Sequence, residues 1–219
     1  NDIRLYRHDG VGFLPTIIVS NNVAAPLTKF CALEAFFMDP LGTSHVFYSE
    51  TPFAVGKPRT IWYRQIDAAG AMTVPAVVYT YQFLSSQTFG FPALAGNLLI
   101  VPFPFENGTS ELDMYFTGAM LVLDSYTLPA PTITQVAIPT QRLSLVTTAN
   151  SGTIHASTLG TAVYLWWLEE QALDGITPLS RIMFTPYDGS GPPGAGTLWH
   201  DELLNPSFDP PGGPMMVLA

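Results

Sequence analysis

The groups in this sequence that could serve as bases, nucleophiles or metal ligands are four histidines, one cysteine and a scatter of carboxylates. His8, His45, His155 and His200 stand far apart, and none belongs to a His-x-His or His-Glu-x-x-His spacing that would set two imidazoles on one cation. Cys31 lies in Lys29-Phe30-Cys31-Ala32-Leu33, an apolar setting that fits an inert buried thiol better than a catalytic one. Gly189-Ser190-Gly191 is the nearest approach to a nucleophile elbow, but a proline-rich stretch surrounds it where a strand, turn and helix are needed. There is no glycine-rich phosphate loop and no dinucleotide fingerprint. The close acidic pairs are Glu169-Glu170 and Glu111 with Asp113. Two carboxylates two apart on a strand share a face and could bind a cation, although a solvated strand edge explains them as well. Asp201-Glu202 follows Trp199-His200 and suits the cap of a short helix. Asn107-Gly108-Thr109 is a formal glycosylation sequon, but Asn-Gly is also a strong turn signal, and the turn is the reading adopted. The expectation is therefore no catalytic, cofactor-binding or metal-binding residue, no cofactor and no enzymatic activity.

The elements that would carry these residues read as strands. Twenty prolines and eighteen glycines run through the whole chain, and a proline inside a helix costs about 3 kcal/mol. Between the breaks lie short segments rich in β-branched and aromatic residues. The strands predicted are 13–20, 28–37, 45–49, 59–66, 74–84, 97–102, 112–126, 143–148, 153–168 and 180–185. Cys31 to Phe37 could also form a short helix, and a second possible helix covers Ala162 to Asp174, where Thr161-Ala-Val-Tyr-Leu-Trp-Trp reads better as a strand entering a helical turn. No internal repeat and no dividing linker is evident. Uneven strand and loop lengths point to a Greek-key sandwich or jelly roll, taken as one domain over residues 1–219. Residues 1–12 are expected as an N-terminal arm and 187–219 as an extended Gly/Pro-rich tail.

Bulk composition narrows the function. Charged residues make up 11% of the chain, against about 25% for an average soluble domain. Hydrophobic residues make up 47% and mean hydropathy is positive, yet Pro or Gly interrupts every apolar run short of the 18 residues a spanning helix needs. No membrane span and no signal peptide are expected. A surface so poor in charge is best explained by neighbouring subunits that cover it; the plainer alternative is an extracellular β domain with a Ser/Thr-rich surface. A net charge of −9, with no basic arm, leaves at most weak or indirect contact with nucleic acid. A single cysteine permits no intrachain disulfide.

Three stretches carry a family resemblance. Phe103 to Leu123, with Tyr115-Phe116-Thr117-Gly118-Ala119-Met120-Leu121-Val122-Leu123, resembles the loop and long central strand of picornavirus-like capsid proteins. Arg181-Ile-Met-Phe-Thr-Pro-Tyr-Asp-Gly-Ser-Gly-Pro-Pro-Gly-Ala resembles the strand that ends there in a Thr-Pro-Pro-Gly-Ala-type turn, with an insertion. Asn150-Ser-Gly-Thr-Ile-His-Ala is similar to a strand opening in the plant-infecting comoviruses. The resemblance implies an eight-stranded antiparallel jelly roll with extended termini. Its function would be structural: a subunit of a non-enveloped icosahedral shell, packed with related jelly rolls around a single-stranded RNA genome. The protein would sit in the virion, with host cytoplasm as the place of assembly and a host receptor as a further partner. The rival class is a secreted jelly-roll ligand or carbohydrate-binding module, for which Trp166-Trp167 offers at most one exposed ring, since neighbours on a strand face opposite sides. A cupin-type enzyme is a third reading and would need clustered His and Glu ligands.

Overall fold

The computed structural model describes residues 2–20, 29–52, 58–82, 89–109, 115–124, 132–140, 143, 154–160, 162–171 and 179–202. Every regular element among them is a β-strand, and every strand pair is antiparallel. The chain forms two compact units, residues 1–85 with 126–131, and residues 86–125 with 132–219.

The first unit holds β1 (Arg4–Leu5), β2 (Ile17–Ile18), β3 (Lys29–Met38), β4 (Ser44–Pro52), β5 (Arg59–Ile66) and β6 (Ala76–Tyr81). Strands β3 to β6 make one sheet in chain order, each joined to the next. Cys31 to Phe37, open to either structure from its sequence, is strand, and the β-branched and aromatic partners across β4 and β5 explain the choice. One face of this sheet carries Val46, Tyr48 and Ile66, and the β1–β2 hairpin packs Ile3, Leu5, Ile17 and Val19 against it. The expected N-terminal arm is thus folded onto its own unit: Arg4 pairs with Ile18 and Leu5 with Ile17, because their apolar neighbours gain more from this core than from solvent.

The second unit holds two sheets. One is β7 (Ala93–Ala95), β8 (Leu98–Asn107), β9 (Tyr115–Leu123) and β10 (Ile133–Ile138); the other is β11 (His155–Leu159), β12 (Ala162–Gln171), β13 (Leu179–Tyr187) and β14 (Thr197–Glu202). Pro102 and Pro104 lie inside β8, where the sequence reading stopped at 102. The carbonyl of Pro102 accepts from Gly90 N–H at 2.9 Å, on the side away from β9. A residue's N–H and C=O point the same way across a strand, so the missing donors fall outside the β8–β9 ladder. The stretch 153–168, read as one strand, is two: Gly160 at φ 62° turns the chain between β11 and β12. Of the possible helix over 162–174, residues Ala162–Gln171 are strand β12, in line with the strand reading preferred for 161–167, and are held by nine partners on β13; 172–174 lie outside the described residues. Asp201-Glu202 does not cap a helix either; both belong to β14, which pairs with β13 inside the expected tail.

The three four-stranded sheets repeat one plan, although the sequence shows no repeat. Each is a meander of four consecutive strands, and they begin at near-equal steps, Lys29, Ala93 and His155. Each first hairpin turns on a glycine with positive φ: Gly42 at 82°, Gly96 at 56° and Gly160 at 62°. An aspartate follows each third strand, Asp67, Asp124 and Asp188. The carboxylates of Asp67 and Asp188 accept backbone N–H bonds from Ala71 at 2.7 Å and Ser190 at 2.9 Å, closing the third hairpins. Within the second unit β11 packs on β7 and β8, and β12 on β7, so the two sheets there meet through their first two strands.

Candidate functional site

In the first unit the turn Asp39-Pro-Leu-Gly-Thr between β3 and β4 places a carboxylate beside a histidine. Asp39 Oδ1 accepts from the N–H of Leu41 (2.9 Å) and Thr43 (2.8 Å), which fixes the carboxylate. Its Oδ2 lies 3.4 Å from His45 Nε2, and His45 Nδ1 lies 2.9 Å from the Tyr63 hydroxyl on β5. The order Asp–His–Tyr is that of a base activating a hydroxyl. Chemistry is nevertheless shut out. The side chains of Asp39 and His45 are fully buried and Tyr63 is 1% exposed. Burial pushes His45 below the ordinary histidine range, outweighing the opposing pull of Asp39, and burial pushes the Tyr63 phenol well up. A phenol held protonated, out of reach of any substrate, is a structural hydrogen-bond chain. The sequence reading placed His45 at a strand end without a partner; the Asp-x-x-Gly turn was the available signal for Asp39.

The second unit holds His155 differently. Its ring stacks on Trp166 at 4.4 Å and lies 5.1 Å from Phe91, while its Nδ1 accepts from Phe91 N–H at 3.4 Å. Burial alone pushes it down to about 4, so it is neutral near neutral pH. Trp166 and Trp167 face opposite sides, as two strand neighbours must, and both are buried. Trp166 Nε1 donates to Ser157 Oγ at 3.3 Å and Trp167 Nε1 to Glu169 Oε1 at 2.9 Å. Neither offers a sugar platform; among the described residues the exposed aromatic rings on this unit are those of Phe91, Tyr115 and Trp199. Glu169, expected on a solvated edge, is buried and pairs with Arg181 at 3.4 Å. His8 sits in an exposed turn, accepting from Gly10 N–H, and His200 lies on β14. Glu111 and Asp113 lie outside the described residues.

A cleft of about 520 Å³ opens beside Ala162, between Tyr187 and Gly194. Its one carboxylate, Asp188, accepts from both the N–H (2.9 Å) and the Oγ (2.7 Å) of Ser190, which holds it below the usual carboxylate range. Ser190 is thereby tied to a turn carboxylate, and no histidine lines the cleft to activate it. Among the described residues no three His, Cys, Asp or Glu side chains gather to hold a metal ion. No helix there is long and apolar enough to cross a membrane. Cys31 is buried, and desolvation, reinforced by Glu50, raises its thiol.

What the surface does present is apolar. On β3, Leu33, Phe36 and Met38 are 53%, 42% and 61% exposed, opposite Tyr48, Val46 and Ser44 on β4. They continue the face that β1 and β2 cover over β4 and β5. The charged residues of β3 are committed elsewhere: Lys29 pairs with Glu50 at 2.8 Å, and buried Glu34 pairs with Arg59. Compared with models of known protein families and with curated proteins, the chain matches none.

Proposed function

We propose that this chain is a non-enzymatic structural module that works with much of its surface covered by neighbouring subunits. The observation that carries the reading is the bare apolar stripe on β3 in a chain with 11% charged residues. An exposed run of apolar side chains on a sheet face marks a surface that another molecule covers. The burial of Asp39, His45 and Tyr63 supports a role without catalysis. The assembly implied by the sequence resemblance is a picornavirus-like icosahedral shell, with jelly-roll neighbours, an enclosed RNA genome and a host receptor as partners. Electron microscopy and sedimentation of material from the native source test it. Closed spherical particles containing this chain in equal amounts with two other proteins support the shell. A discrete small species with no larger form overturns the covered-surface reading.

The strand order favours a second reading. A jelly roll pairs strands distant in the chain, whereas all the pairings described join strands consecutive in sequence. Serial four-stranded meanders are the unit from which propeller scaffolds are built, and loops on one face of such scaffolds often bind partners. Under this reading the native assembly contains further meanders of the same plan and no closed shell; the same micrographs separate the two.

A further inference from the structure

We propose that Trp62 and Arg64 on β5 form a binding site for a carboxylate carried on a small apolar body. The two lie opposite Tyr48 and Val46 on β4, so both stand on the face that the β1–β2 hairpin partly covers. β5 holds two buried arginines, and their charges are met differently. Arg59 pairs with Glu34, whereas no carboxylate among the described residues pairs with Arg64. Arg64 is only 9% exposed. Its Nη1 donates to Val19 O at the end of the hairpin and lies 3.9 Å from Met72 Sδ, while its Nε has no acceptor. Trp62 Nε1, two residues back on the same face, also finds no acceptor among the described residues. Glu50, the carboxylate on this face of β4, is taken by Lys29. A buried guanidinium without a counter-ion is costly, and so is a buried donor without an acceptor. One ligand answers both. Side chains this long, on Cα atoms about 7 Å apart along one strand, can each give a hydrogen bond to the same carboxylate. A single cation suits a monoanion and not a polyphosphate or nucleic acid. Apolar surface for the body of the ligand comes from Val77, which pairs with Trp62 on β6, and from Met72, both of them exposed.

Titration of the full chain with benzoate, against chloride at equal ionic strength, tests this through the melting temperature and the indole N–H signals of isotope-labelled protein. Benzoate should raise the melting temperature by about 4 °C once it is tenfold above its Kd. It should also shift one indole signal, the one missing from a Trp62→Phe variant. Arg64→Met should abolish the response while melting no lower than the wild type, since it removes an unpaired charge and keeps much of the side chain's length. Trp62→Phe keeps the ring, should fold as the wild type does, and should bind benzoate about tenfold more weakly. A Trp62 signal that benzoate leaves unmoved in the wild type overturns the site. So does an equal response to chloride, or a response that survives in Arg64→Met.

Discussion

The two units build the same four-stranded meander with different chemistry inside. The first closes its sheet around polar groups: the Asp39–His45–Tyr63 chain and the Glu34–Arg59 and Lys29–Glu50 pairs. The second relies on close approach and aromatic stacking. A Cβ on Gly90 would stand 1.6 Å from Ile154 O, and one on Gly118 would stand 2.2 Å from Ile154 Cδ1, so both glycines are there to let Ile154 in. Buried hydrogen-bond chains specify register but are costly when broken, whereas at Gly90 the neighbour is backbone and has no room to give. The plan of the meander is therefore independent of what fills it, and the chemistry is free to differ between copies.

That contrast can be broken most sharply at Gly90. Gly90→Ala should destabilise the second unit by more than ~3 kcal/mol, since the obstacle is backbone and cannot rotate away. Hydrogen exchange should show β11 and β8 losing protection while β4 and β5 keep theirs. A smaller effect is expected from Tyr63→Phe in the first unit, about 1–3 kcal/mol, for leaving His45 Nδ1 without its hydroxyl partner. Here β4 and β5 should lose protection and β12 should not. A chemical melt giving the same change in both units would erase the distinction.

The smallest effect is the acid limb. His155 is held neutral, its value pushed down to about 4 from an ordinary 6.5. The unfolded chain therefore takes up the proton first, and the stability that neutral His155 contributes is intact above pH 6.5 and is lost as pH falls from there to about 4. His45 is shifted in the same direction, so it adds to the same limb. His155→Phe keeps a ring against Trp166 and should flatten, without abolishing, the fall in melting temperature between pH 6.5 and 4.

Strand content was legible because β-branched and aromatic runs between prolines leave little else to form, and the Cys31 environment was legible from its apolar neighbours. Topology was not. The three meanders share turns and strand order but not side chains, as Arg64 in β5, Leu121 in β9 and Thr185 in β13, each three residues before its aspartate, illustrate, so no repeat could be read. Gly160 hid a hairpin because a single glycine in an apolar run resembles a bulge as much as a turn. β7 escaped notice because it is three residues long, and β14 because the Gly/Pro stretch before it resembled the start of a tail. The Asp39–His45–Tyr63 chain spans a turn and two strands, and no spacing in sequence announces it.

The most direct test of the covered surface is oxidative footprinting of Met38, comparing the isolated chain with native material. Met38 is 61% exposed on the chain alone. The account expects rapid sulfoxide formation at Met38 in the dilute isolated chain and strong protection in the native assembly, with buried Met120 slow in both. Equal and rapid oxidation of Met38 in the two states would contradict it.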